Sequence, residues 1–125
     1  MLLVRTRLAP SAIHGLGVFA AEPIAKGAEV WRFTRGFDLD IDPELLEGQP
    51  PHVREWLRVY GYLDPHLARF ILCCDDARFL NHSATPNLRP DFTHDRYGVD
   101  VALRDIAAGD ELTVDYALVD GNLPG

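Results

Sequence analysis

Two cysteines are too few to staple a chain of 125 residues, and they stand side by side at Cys73 and Cys74. Neighbouring residues of a strand point to opposite faces, so this pair is badly placed to bond, and a disulfide scaffold is excluded. The five histidines (His14, His52, His66, His82 and His94) show no ligand spacing with these cysteines, so no metal is expected. Lysine is scarcer still, with Lys26 alone beside eleven arginines. Long apolar runs are missing too. The opening MLLVRTRLAP is too short for a secretory leader, and no later stretch reads as a membrane span. A reducing, cytoplasmic setting without a membrane partner is the expectation. Basic charge is in deficit, 12 Lys and Arg against 19 Asp and Glu, for a net charge of −7. Such a surface repels a phosphate backbone, which argues against direct nucleic-acid binding. It suits a basic partner such as a lysine-bearing peptide, although mild acidity also serves solubility alone.

What is present is turn chemistry. Ten glycines and nine prolines favour short strands over a helical bundle, and the length allows one domain spanning 1–125. Leu2 to Arg5 reads as a first strand, followed by a turn through Pro10 and Ser11. Val18 to Ala20 and Glu29 to Phe33 read as strands, joined by a turn at Ile24-Ala25-Lys26-Gly27. That phrase returns as Ile106-Ala107-Ala108-Gly109, again between a charged turn residue and an apolar strand. The glycine of each copy is expected to take a positive φ. Residues 36–70 form a variable insert: an acidic loop with one helical turn at Pro43 to Glu47, then a helix. Val53, Trp56, Leu57 and Tyr60 fall on one face of that helix and predict a buried stripe, ended by Gly61. Leu67 to Leu72 is a further short helix or strand.

Two segments stand out. ARFLNHSATPN, residues 77–87, is dense in side chains that bond backbone in tight turns, and a plain strand-linking turn accounts for its composition. Its order is less ordinary, because Arg78-Phe79-Leu80 reads as a strand delivering Asn81 and His82 to a strand end, where ligand sites often lie. DELTVDY, residues 110–116, reads as a strand leaving a glycine turn and ending on Tyr116.

Together with HGLGVFA at 14–20, these segments resemble the SET domain of protein-lysine methyltransferases. HGLGVFA is similar to that family's first cofactor motif, RFLNHSATPN to its central Asn-His-Ser motif, and ELTVDY to its terminal Asp-Tyr motif. All three stand in the family's order, over roughly Ser11 to Tyr116. The resemblance implies a mostly β, SET-type fold of small curved sheets with short helices. A knot-like crossing of the C-terminal segments would bring Asn81, His82 and Tyr116 together. It further implies S-adenosylmethionine as cofactor, held by His14, Gly15, Leu16 and Gly17 and by Arg78, Asn81 and His82. Tyr116 would be the catalytic residue, orienting a lysine amine for direct displacement at the donor methyl. No metal takes part.

Four positions depart from the family pattern. Ala84 replaces a zinc-binding cysteine, and in keeping with that no cysteine-rich tail is expected after Tyr116. The lysine channel must then be closed by Leu118 to Pro124, by a partner subunit such as a second copy in a homodimer, or by the substrate. Thr34-Arg35-Gly36 stands where the family has Tyr-x-Gly, and Val114 where it often has Phe or Tyr. The smaller Val114 leaves room for more than one methyl group. Phe33, Phe37, Tyr60 and Tyr62 are the candidate substitutes for the missing aromatics. A non-catalytic SET-like binding module is the alternative reading of these losses.

Overall fold

A computed structural model describes residues 1–119. It contains four small sheets. β1 (Thr6–Pro10) and β2 (Leu16–Ala20) form an antiparallel ribbon. β3 (Glu29–Arg32), β8 (Leu88–Asp91) and β9 (Val99–Ala102) form a second sheet in the order β3-β9-β8. In the third, β6 (Phe70–Leu72) lies between β4 (Leu39–Ile41) and β5 (Gly61–Leu63). The fourth pairs β7 (Asn81–His82) with β10 (Thr113–Val114) in parallel.

Strand β3 divides the interior. Its register with β9 shifts between Glu29 and Trp31, so that Val30 and Trp31 are both buried. Val30 joins one core cluster with Val18, Ile24, Leu88 and Leu112, whereas Trp31 joins another with Phe33, Ile71, Cys73 and Tyr97. Asp100 of β9 stands opposite Trp31 in the ladder and so shares its face of the sheet.

The repeated turns prove to be partners. Ile24 and Ile106 exchange backbone hydrogen bonds of 2.9 and 2.8 Å. Gly27 and Gly109 hold φ of +85° and +91°, the left-handed region that a side chain resists. Helix α1 (Pro43–Glu47) occupies the predicted residues, with Asp42 capping the Glu44 N–H and Pro43 in the first turn.

Five expectations are corrected. The first strand lies at Thr6–Pro10, and Leu2 makes only an isolated bridge to Trp31. Most of β1 is exposed, so its pairing with β2 defines it, and no apolar pattern could. Arg78 and Phe79 belong to a 3-10 turn (Asp76–Phe79), because Asp75 caps the Ala77 N–H and coils the chain before β7. The insert is not all loop ahead of α1: Leu39–Ile41 pairs with β6, where Arg69 and Tyr97 hold Asp40. Helix α2 (Pro51–Tyr60) forms as expected but buries none of its residues, and Trp56 remains 43% exposed. Gly61 ends it in an extended conformation, not the left-handed one. A Cβ there would collide with the Phe70 ring, which is the physical need for glycine.

Candidate active site

The site is built around one crossing. β7 and β10 align Thr113 with Asn81 and Val114 with His82. The Ser83 N–H extends this pairing to the Val114 carbonyl at 3.0 Å. Asn87 clamps the same strand by donating to the Glu111 carbonyl at 2.8 Å and accepting from the Thr113 N–H at 2.8 Å. The turn-rich composition of 77–87 thus serves pairing between distant segments as well as local turns.

On one side of the crossing lies the glycine loop. The Asn81 side-chain amide lies 3.0 Å from the His14 carbonyl, 3.1 Å from that of Leu16 and 2.9 Å from the Glu111 carboxylate. Two N–H bonds are shared among three acceptors, so the loop is fixed from several directions. Ser11 donates to the same carboxylate at 2.7 Å. Gly17 packs directly on Glu111, where a Cβ would overlap the carboxylate. Gly15 takes a φ of +47° with open space around it. His14, Gly15 and Leu16 are exposed, with no side chain covering the backbone at Gly15, whereas Gly17 is buried.

On the other side lies a cavity of about 170 Å³. Trp31, Tyr62, Leu80, Tyr97, Val114 and Tyr116 are among its walls. Tyr116 opens α3 (Tyr116–Val119) and is fixed at two points. Its N–H donates to His82 Nδ1 at 3.1 Å, and its hydroxyl donates to the Leu80 carbonyl at 2.6 Å. Leu80 therefore faces the cavity while the next residue, Asn81, grips the glycine loop.

Asn81, His82 and Tyr116 are thus brought together, and Asn81 ties His14 to Gly17 to them. Arg78 goes elsewhere: its guanidinium donates to the Cys73 carbonyl at 2.8 Å, lies 5.5 Å from the Trp56 ring and borders the cavity. Val114 is a wall of the cavity, as are Tyr60 and Tyr62, while Phe33 stacks on Tyr97 and Phe37 is exposed. Thr34 is engaged in a turn, where its N–H donates to Asp38. Asp38 is buried, and this raises its pKa, but hydrogen bonds from the Met1 ammonium, Cys74 and Thr34 outweigh that and hold it below the usual carboxylate range. Leu118 is exposed and borders a shallow groove with Pro65, Pro90 and Phe92; residues 120–124 lie outside the described residues.

Several contributors carried little sequence signal. Ser11, Glu111 and the Leu80 carbonyl act only through the crossing. Asp100 and Asp64 are buried in the cavity wall, and burial raises the Asp100 pKa to about 7. A charge inside the strand sequence Val99-Asp100-Val101-Ala102 was the available clue. Burial also pushes the Cys73 thiol well up, so it stays protonated and is a poor nucleophile.

Comparison with known proteins places this geometry. A family model described as the SET domain matches residues 15–117. No curated protein matches. Among solved structures, a Plasmodium falciparum protein described as a candidate histone methyltransferase is 22% identical, with a TM-score of 0.64 over 92% of this chain and 95% of that one. A humanized Polycomb Repressive Complex 2 from Chaetomium thermophilum, bound to an inhibitor, gives 24% identity and a TM-score of 0.66 over 95% of this chain. An active Polycomb Repressive Complex 2 in its basal state gives 26% and 0.63 over 90%. The present chain spans only 16% and 15% of those two polycomb chains.

Proposed function

Because the chain belongs to the SET domain family, we propose that it transfers a methyl group from S-adenosylmethionine to a lysine side chain of a protein. The observation that carries this reading is the position of Tyr116. It stands in a cavity wall, while its partner His82 and the adjoining Asn81 lead to the exposed glycine loop. A donor on the loop side and an acceptor in the cavity would meet at this residue.

The loop residues fit such a donor. Gly15, with open space where a Cβ would stand, lets a ligand approach the backbone closely. His14, Gly15 and Leu16 would hold the group together with Asn81 and His82, while Gly17, buried against Glu111, would support the loop from behind. When bound, it supplies a methyl carbon made electrophilic by the attached sulfonium. Arg78 borders the acceptor cavity, so its role moves to that side.

Tyr116 supplies orientation. Its hydroxyl proton is committed to the Leu80 carbonyl, so the oxygen acts as an acceptor toward an incoming amine N–H. The amine must be neutral to attack, which costs roughly 4–5 kcal/mol at pH 7 for a lysine in water. Desolvation in the cavity and the nearby sulfonium charge both reduce that cost. The net charge of −7 favours a basic protein segment as acceptor.

Incubation with labelled donor and a panel of lysine-bearing peptides tests the reading. Transfer by the wild type, reduced about 100-fold or more in Tyr116→Phe, is expected. Transfer undiminished in that variant would sink the assignment of Tyr116. The engagement of Thr34 in a turn, with no aromatic ring at that position, favours a second reading as a binding module. Donor binding without transfer to any peptide would select it.

A further inference from the structure

The cavity beside Tyr116 contains more negative charge than its protein surroundings neutralise. Asp100 is 7% exposed and lines the cavity, and its carboxylate accepts no hydrogen bond from the described residues. Asp64, also on the cavity wall, uses Oδ1 to accept from the His66 and Leu67 N–H groups, both at 2.8 Å. Its Oδ2 is buried without a partner among the described residues. Two arginines border the same cavity but pair with neither acid: Arg58 is exposed, and Arg78 is held by the Cys73 carbonyl and the Trp56 ring.

Among the described residues the Met1 ammonium is the one cation that acts on Asp100, and it is bonded to Asp38 at 2.7 Å, so burial outweighs it. A buried carboxylate so weakly compensated is among the costlier arrangements a fold can keep. The remaining walls are largely aromatic, with Trp31, Tyr62, Phe92, Tyr97 and Tyr116 around the two acids. Aromatic faces attract cations, and they strip water from whatever enters. Carboxylate and ring faces together answer the needs of a cation carried on an aliphatic stem. A neutral hydroxyl or amide of the same length would leave the acids as they are.

We propose that Asp100 is the anionic seat for the acceptor side chain, so that this cavity selects a primary alkylammonium group. The assignment of that group to a substrate lysine rests on the methyl-transfer reading above, but the binding itself does not. Asp64 supports the seat as a second carboxylate, fixed by the turn it caps. Asp100 is then a specificity residue: it captures the acceptor as the ammonium ion, whose proton must pass to the carboxylate or to water before the amine, oriented by Tyr116, attacks.

The probe is n-butylammonium chloride, titrated at pH 8 and constant ionic strength and read through tryptophan fluorescence, with Trp31 in the cavity wall as reporter. Saturable binding is expected, weakened about tenfold or more in Asp100→Asn, while 1-butanol binds weakly and equally to both proteins. Two results that need no variant would overturn the proposal: no saturable binding of butylammonium to the wild type, or equal affinity for 1-butanol. Equal butylammonium affinity in Asp100→Asn would overturn it as well. In the transfer assay, the same substitution is expected to raise KM for the peptide about tenfold. Butylammonium binding without methyl transfer keeps this inference and removes the enzymatic one; transfer with unchanged KM in Asp100→Asn does the reverse.

Discussion

Asp100 occupies a place where β9 would ordinarily bury another apolar side chain, and its proton has consequences for the fold itself. Burial raises its pKa from 3.8 to about 7. The unfolded chain therefore releases this proton first, and Asp100 contributes no penalty below about pH 4. The penalty grows as pH rises toward 7 and reaches on the order of 4 kcal/mol above it. Asp100→Asn should gain stability over the wild type at pH 8 and gain little at pH 4, as urea unfolding at the two values would measure. Equal gains at both would mean that the carboxylate is not the cause. Asn81 poses a different question, since its amide binds two carbonyls of the glycine loop and the Glu111 carboxylate. Asn81→Ala should weaken S-adenosylmethionine about tenfold by calorimetry, roughly the value of one such hydrogen bond to a charged group. Butylammonium affinity should hardly change, because the amide is turned away from the cavity.

Among the elements, the paired turns show what a sequence can and cannot announce. The echo of Ile24 to Gly27 in Ile106 to Gly109 was readable, and so was the positive φ of each glycine. That the copies bond one another across 82 positions was not, because a repeat carries no statement of contact. Gly109 sits at φ +91° with nothing near enough to obstruct a Cβ. Gly109→Ala should therefore cost about 1 kcal/mol from backbone strain alone, measurable by urea titration. A cost near zero would mean that the turn relaxes. Helix α2 gives the opposite lesson. Its apolar spacing placed the helix correctly, but periodicity marks an apolar face without guaranteeing full cover: Val53, Leu57 and Tyr60 are only half-buried, and Trp56 is exposed. Strand β1 could not be read at all, since its exposed residues follow the partner strand. The glycine loop, Asn81, His82 and Tyr116 were legible because their order matched a family. Glu111 acts through contacts with distant Ser11 and Asn81, whereas Asp64 caps its own turn and Asp100 faces the cavity, where a charge inside a strand was the one hint.

For the molecule as a whole, residues 111–116 complete almost everything. Glu111 anchors Ser11 and Asn81, Leu112 donates to the Val18 carbonyl at 2.7 Å, and Thr113 and Val114 pair with Asn81 and His82. Tyr116 then closes against Leu80 and His82. A chain stopped after Asp110 should lose its cooperative thermal transition and its dispersed amide spectrum, since buried Leu112 and Val114 and their hydrogen bonds go together. A sharp melt in that truncated protein would refute this. The parallel pairing of β7 with β10 also sets a schedule. As a ribosome releases the chain, the loop that would meet the donor emerges well before Asn81 and Glu111, on which it leans. Both faces lean on residues 111–116, so neither is complete until that segment has emerged, and one late step then supplies both.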